Sequence, residues 1–169
     1  MALRRVAAVV IIVTVLLVQL SAVNRITTPA AAPDLILVVV LVLALLEGPA
    51  AGMAYGFGGG LLGDALSTHA FGRLALVWTI AGYLAGLMHD PGGRAGERSA
   101  ALPLLGIGAL CAASTLAYAA LDVVVGAAHD AVYHLIRQAV AVGVYGVILA
   151  PFVYLLLRPA LRRLEPNRG

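Results

Sequence analysis

The chain has 169 residues, 62% of them hydrophobic and only 11% charged, with a mean hydropathy of +1.02. Soluble domains run at about 45–50% apolar and about 25% charged, so this balance excludes a soluble enzyme and marks an integral membrane protein. The formal net charge is +3 and all eleven basic residues are Arg, which excludes a phosphate-loop lysine.

Six apolar segments predict an all-α integral membrane protein, a single domain over 1–169 with six transmembrane helices in one bundle. The first spans about 4–23: Arg4 and Arg5 precede an apolar run that ends at Val23. That run is longer than the roughly 7–15-residue core of a signal peptide, and no A-x-A site follows, so it is expected to be a retained helix. After the polar "NRITTPAAAP", the second helix is expected over 34–47. Pro33 and Asp34 suit a helix start, because proline lacks the donor that would be unpaired there and aspartate accepts from free amides.

"EGP" at Glu47–Pro49 separates this helix from a third over 50–66. Both are short against the roughly 20 residues needed to cross alone, which predicts a tight hairpin packed inside the bundle. The fourth helix is expected over 71–88, followed by the Gly-rich connection "HDPGGRAGERS", and the fifth over 100–125. A sixth, over 131–157, contains Pro151, expected to bend it or end its regular bonding early. The tail 158–169 is basic and partly amphipathic, and places Arg158, Arg162 and Arg163 where anionic lipid would meet them at the cytoplasmic face.

An even helix count puts both termini on one side, and arginine placement selects it. One face receives Arg4, Arg5, Arg94, Arg98, Arg158, Arg162, Arg163 and Arg168, and the other Arg25, Arg73 and Arg137. The positive-inside rule then predicts a multi-pass protein of the cytoplasmic membrane with both termini cytoplasmic.

Within "GFGGGLLGD", Gly58, Gly60 and Gly63 spell G-x-G-x-x-G. A dinucleotide loop needs a preceding strand and an acid about 20 positions on; here the flank is an apolar helix and residues 80–88 hold no acid. The more informative spacing is four. Gly52, Gly56 and Gly60 fall along one helix face, with Asp64 continuing the line, and Gly82 and Gly86 repeat the spacing on the fourth helix. Small residues so placed let two membrane helices approach closely, either within this chain or between it and a partner.

Among the polar residues, Asp34 is expected to cap its helix. Asp64 lies at a helix C-terminus, where the dipole disfavours a negative charge, which calls for a compensating partner such as Arg73. Arg137 is expected to snorkel to the outer interface or to pair with Asp122 or Asp130. The stretch "HDAVYH", with His129, Asp130 and His134, lacks the i, i+4 histidine pairing of a zinc helix, so no metal or cofactor is expected. Cys111 lies in an apolar run and reads as a packed small residue. No catalytic constellation emerges, and an enzyme is not expected.

The combination "PDLILVVVLVLALLEG", "AYGFGGGLLGDALS" and "FGRLALVWTIAGYLAG" resembles the MreD family of bacterial rod shape-determining proteins. The positions that carry it are Pro33, Asp34, Gly56, Phe57, Gly60, Leu61, Asp64, Gly72 and Gly82. The resemblance implies a non-catalytic inner-membrane component of the machinery that builds the lateral cell wall. Implied partners are MreC, with the actin-like MreB, the RodA glycosyltransferase and a transpeptidase. The implied fold is similar to the substrate-binding subunits of energy-coupling-factor vitamin transporters. That similarity supplies the alternative function, capture of a vitamin in a polar pocket, for which the sequence offers few convergent polar groups. Gly52, Gly56, Phe57, Gly60, Gly82 and Gly86 are the expected packing or partner-binding positions.

Overall fold

A computed structural model describes residues 9–15, 17, 34–66, 72–89, 101–124 and 132–162. Helix α1 is described over 9–15, α2 is Leu35–Glu47, α3 Pro49–Leu66, α4 Arg73–Leu87, α5 Ala101–Val124 and α6 Val132–Arg162. Among the described residues there is no strand. Two helices are long and apolar enough to cross a membrane, through Leu102–Leu121 and Leu135–Pro159, whereas α2 and α4 are apolar but shorter.

Helix α2 is the centre of the bundle. Its residues from Ile36 to Leu45 are all buried, and it packs against α3, α4, α5 and α6. A helix enclosed all round reads as a continuous aliphatic run without amphipathic periodicity, which is what "LILVVVLVLALL" is. Asp34 starts it: the carboxylate accepts the Leu37 amide at 3.2 Å, the cap its position predicts.

A single residue, Gly48, joins α2 to α3. Its φ of +94° is left-handed territory that a side chain resists, and its N–H donates to the Ala44 carbonyl at 2.8 Å. Pro49 then occupies the first position of α3, where its missing donor is no loss. The chain therefore reverses with no intervening loop.

Helix α3 packs most extensively on α4, and α5 on α6. Between the latter two, Gly108 and Gly143 bring the backbones together, and Cys111, fully buried, packs on Gly146. Helix α6 continues through both Pro151 and Pro159. The helix expected over 131–157 thus runs on past Pro151, and of the bend or early end expected there the early end does not occur; proline is tolerated in membrane helices where neighbouring groups satisfy the freed carbonyl. Arg158 and Arg162 accordingly lie within α6, not in a separate tail, and the Arg158 guanidinium stands 5.6 Å from the centre of the Tyr154 ring one turn earlier. Arg163, the side chain of Arg162, the loop-borne arginines and the His129–Asp130 stretch lie outside the described residues.

Candidate functional site

The α3–α4 pair concentrates the residues singled out by the sequence. Gly52, Gly56 and Gly60 all face α4 and all are buried. A Cβ on Gly52 would collide with the Gly82 carbonyl, one on Gly56 with the Trp78 carbonyl, and one on Gly60 with the Ala75 backbone. From the other side, a Cβ on Gly82 would strike the Gly52 carbonyl and one on Gly86 the Pro49 backbone. Five glycines at four-residue spacing thus form one backbone-to-backbone seam inside this chain. Phe57 points the other way and is 53% exposed.

Trp78 locks the seam from the side. While its carbonyl meets Gly56, its indole lies beside Gly59 and Gly63, with open distances of 3.6 and 3.9 Å to Cβ positions there. Gly56 and Gly60 therefore admit a backbone, whereas the tightest neighbours of a Cβ on Gly59 and Gly63 would be Val40 Cγ2 at 3.1 Å and Leu74 Cδ1 at 3.2 Å, with the indole at ordinary contact distance. Gly58 meets nothing within 4 Å.

Asp64 closes the seam at its far end. It is 2% exposed, and its carboxylate accepts three backbone amides at the start of α4: Gly72 at 3.0 Å, Leu74 at 3.1 Å and Ala75 at 3.1 Å. This is an N-cap supplied from another helix. Helix α4 has no side-chain cap of its own, because Gly72, at φ +98°, occupies the capping position. The negative charge, unfavourable at the end of α3, lies at the positive end of the α4 dipole. Arg73 follows directly, its guanidinium 5.4 Å from the centre of the Tyr118 ring on α5.

At the opposite end of the seam, the α2–α3 corner carries a second polar group. The Tyr55 hydroxyl donates to Glu47 Oε2 at 2.5 Å, and His89 Nδ1 lies 2.8 Å from the Leu45 carbonyl, which fixes that nitrogen as the donor. His89 also stacks its ring edge near Gly48.

A polar cavity of about 160 Å³ lies between α2, α4, α5 and α6. Asp34, Ser114, Thr115, Tyr118 and Gln138 line it, together with Leu37, Leu74, Trp78 and Val142. Ser114 is only 5% exposed, and the Thr115 hydroxyl donates to the Cys111 carbonyl at 3.1 Å. Few polar groups converge along the sequence itself; the fold gathers five. The available signal was Ser114, Thr115 and Tyr118 within one turn of a membrane helix, but nothing local indicates that Asp34 and Gln138 face the same space. Arg137, beside Gln138, is exposed, in keeping with a side chain directed to an interface.

No curated protein and no solved structure matches the chain. Its residues 2–160 match the family described as rod shape-determining protein MreD. The match extends beyond α2–α4 to α5 and most of α6, so it takes in the polar cavity as well as the seam and the Asp64 cap. The chain belongs to the MreD family of rod shape-determining proteins.

Proposed function

We propose that this chain is a non-catalytic inner-membrane component of the cell-elongation machinery, which binds MreC and helps to organise or regulate lateral peptidoglycan synthesis. MreB, RodA and a transpeptidase complete the assembly. The chain crosses the membrane six times in this reading, with both termini cytoplasmic, and Arg158, Arg162 and Arg163 meet anionic lipid at the cytoplasmic face. The observation that carries it is family membership over residues 2–160, which implies a role in rod shape determination. The glycine seam is taken up by α3–α4 packing, so partner helices are assigned to outward residues such as Phe57. Expression in a rod-shaped bacterium depleted of its own MreD-family protein tests this: restored rods support it, and spherical cells with the protein present in the membrane contradict it.

A second reading has one observation in its favour, the polar cavity. An energy-coupling-factor type subunit would bind a vitamin there, in a fold similar to this family's. At about 160 Å³ the cavity is smaller than the roughly 300–1,000 Å³ of most small-molecule pockets, which ranks this reading second. Purified protein that carries a stoichiometric small molecule would reverse the order.

A further inference from the structure

The polar cavity lies at one end of the bundle. Asp34 immediately precedes α2, Leu74 is in the first turn of α4, Gln138 is in the second turn of α6, and Tyr118 is in the last two turns of α5. Ser114 is the group there that the fold leaves without a partner. It is 5% exposed, yet it makes no hydrogen bond among the described residues. Thr14, Thr79 and Thr115 each donate to the carbonyl four residues earlier, the usual recourse of a hydroxyl in a helix, and Ser114 does not. A hydroxyl taken out of water without a partner costs stability, so such groups meet a ligand, an ordered water or another side chain. Ser114 stands between this cavity and an apolar groove on the outward side of α4 and α5, and the cavity is the side that offers it polar company. Gln138, exposed at the cavity's edge, likewise makes no hydrogen bond among the described residues.

We propose that the cavity binds a small, neutral, polyhydroxylated group, held by Ser114 and Gln138. Thr115 has committed its proton to the Cys111 carbonyl and Asp34 is a carboxylate, so both present acceptors only, whereas Ser114 and Gln138 can donate and accept. A ligand hydroxyl does both and so satisfies either kind of group. A charged ligand fits less well. The Asp34 carboxylate sits at the positive end of the α2 dipole, and the Arg73 guanidinium stands 5.4 Å from the centre of the Tyr118 ring, so neither sign of charge dominates. The volume of about 160 Å³ equals about five waters at roughly 30 Å³ each, the bulk of a glycerol or a pentose. Leu37, Leu74, Trp78 and Val142 supply apolar wall for the C–H faces of such a group. Its binding requires neither a transport ATPase nor a wall synthase, and is independent of which reading of function holds.

Trp78 lines the cavity and is the only tryptophan of the chain, so its fluorescence reports occupancy. The full chain, in phosphatidylcholine nanodiscs free of sugar detergents, is titrated with glycerol and xylose, and with sucrose, too large for the space, as the solvent control. A saturable change in emission with glycerol or xylose and none with sucrose is expected. Ser114→Ala and Gln138→Ala are each expected to weaken binding about three- to tenfold, the scale of one neutral hydrogen bond, without lowering the melting temperature of the unliganded protein. Discs containing phosphatidylglycerol separate the two sources of such a group. A lipid's glycerol headgroup would shift the emission before any addition and compete with xylose, whereas an unchanged titration assigns the site to a free polyol, and either result supports the proposal. No saturation with glycerol or xylose, an equal response to sucrose, saturation by ethylammonium or acetate instead, or full affinity in Ser114→Ala overturns it.

Discussion

Asp64, in the last turn of α3, accepts the backbone N–H of Ala75 in α4 at 3.1 Å, and those of Gly72 and Leu74 as well. One carboxylate thereby ends one helix and begins the next, in surroundings where an unsatisfied amide has no water to turn to. Asp64→Ala removes all three acceptor contacts and is expected to cost about 2–3 kcal/mol. Asp64→Asn keeps one acceptor oxygen but aims donors at donors, and is expected to lie between Ala and the wild type. Thermal unfolding in mild detergent checks the order; equal stability of all three proteins would contradict the cap.

The Gly56–Trp78 contact allows no methyl group. Because the obstacle is the Trp78 carbonyl and not a flexible side chain, Gly56→Ala is expected to separate α3 from α4 and to lower stability by about 2 kcal/mol or more. The measurement is the same melting series together with the amount of protein accumulated in the membrane. A normal melting temperature would mean that the seam yields more easily than its geometry implies.

Gly58 and Gly72 both have open space around them, yet they are expected to respond in opposite directions. Gly58 is helical, so Gly58→Ala gains up to about 1 kcal/mol from reduced chain entropy. Gly72 sits at φ +98°, so Gly72→Ala loses about 1–2 kcal/mol to strain alone. Chemical denaturation of the two variants separates backbone conformation from packing, since neither adds a clash.

Phe57 separates packing from recognition. It projects from α3 away from the glycine seam and is 53% exposed. Phe57→Ala is expected to leave the melting temperature within about 1 °C of the wild type, as surface substitutions usually do, while reducing recovery of MreC several-fold. Loss of stability without loss of MreC would reverse that assignment.

What could be read from the sequence was whatever depends on near neighbours or fixed spacing. The Asp34 cap is such a case, since donor and acceptor lie three residues apart. The seam is another: the four-residue spacing on α3 and on Gly82 and Gly86 shows two compatible surfaces, and the structure adds only that they meet each other. Asp64 was legible as a charge in need of compensation, but not as a cap, because its amide partners belong to the next helix and their distance depends on how α3 and α4 align. The polar cavity was the least legible. Asp34, Tyr118 and Gln138 come from three helices, and no local pattern records which faces of α2, α5 and α6 turn inward. The continuation of α6 through Pro151 likewise depends on neighbours and not on the proline alone.

The central claim, membership of a wall-building assembly, is tested most directly by affinity purification of the tagged chain from its native membrane in mild detergent, with co-purifying proteins identified by mass spectrometry. The account predicts recovery of MreC together with wall synthases. Recovery instead of paired ATPases with a transmembrane coupling subunit would contradict it and make the polar cavity, not the outward helix surfaces, the functional centre.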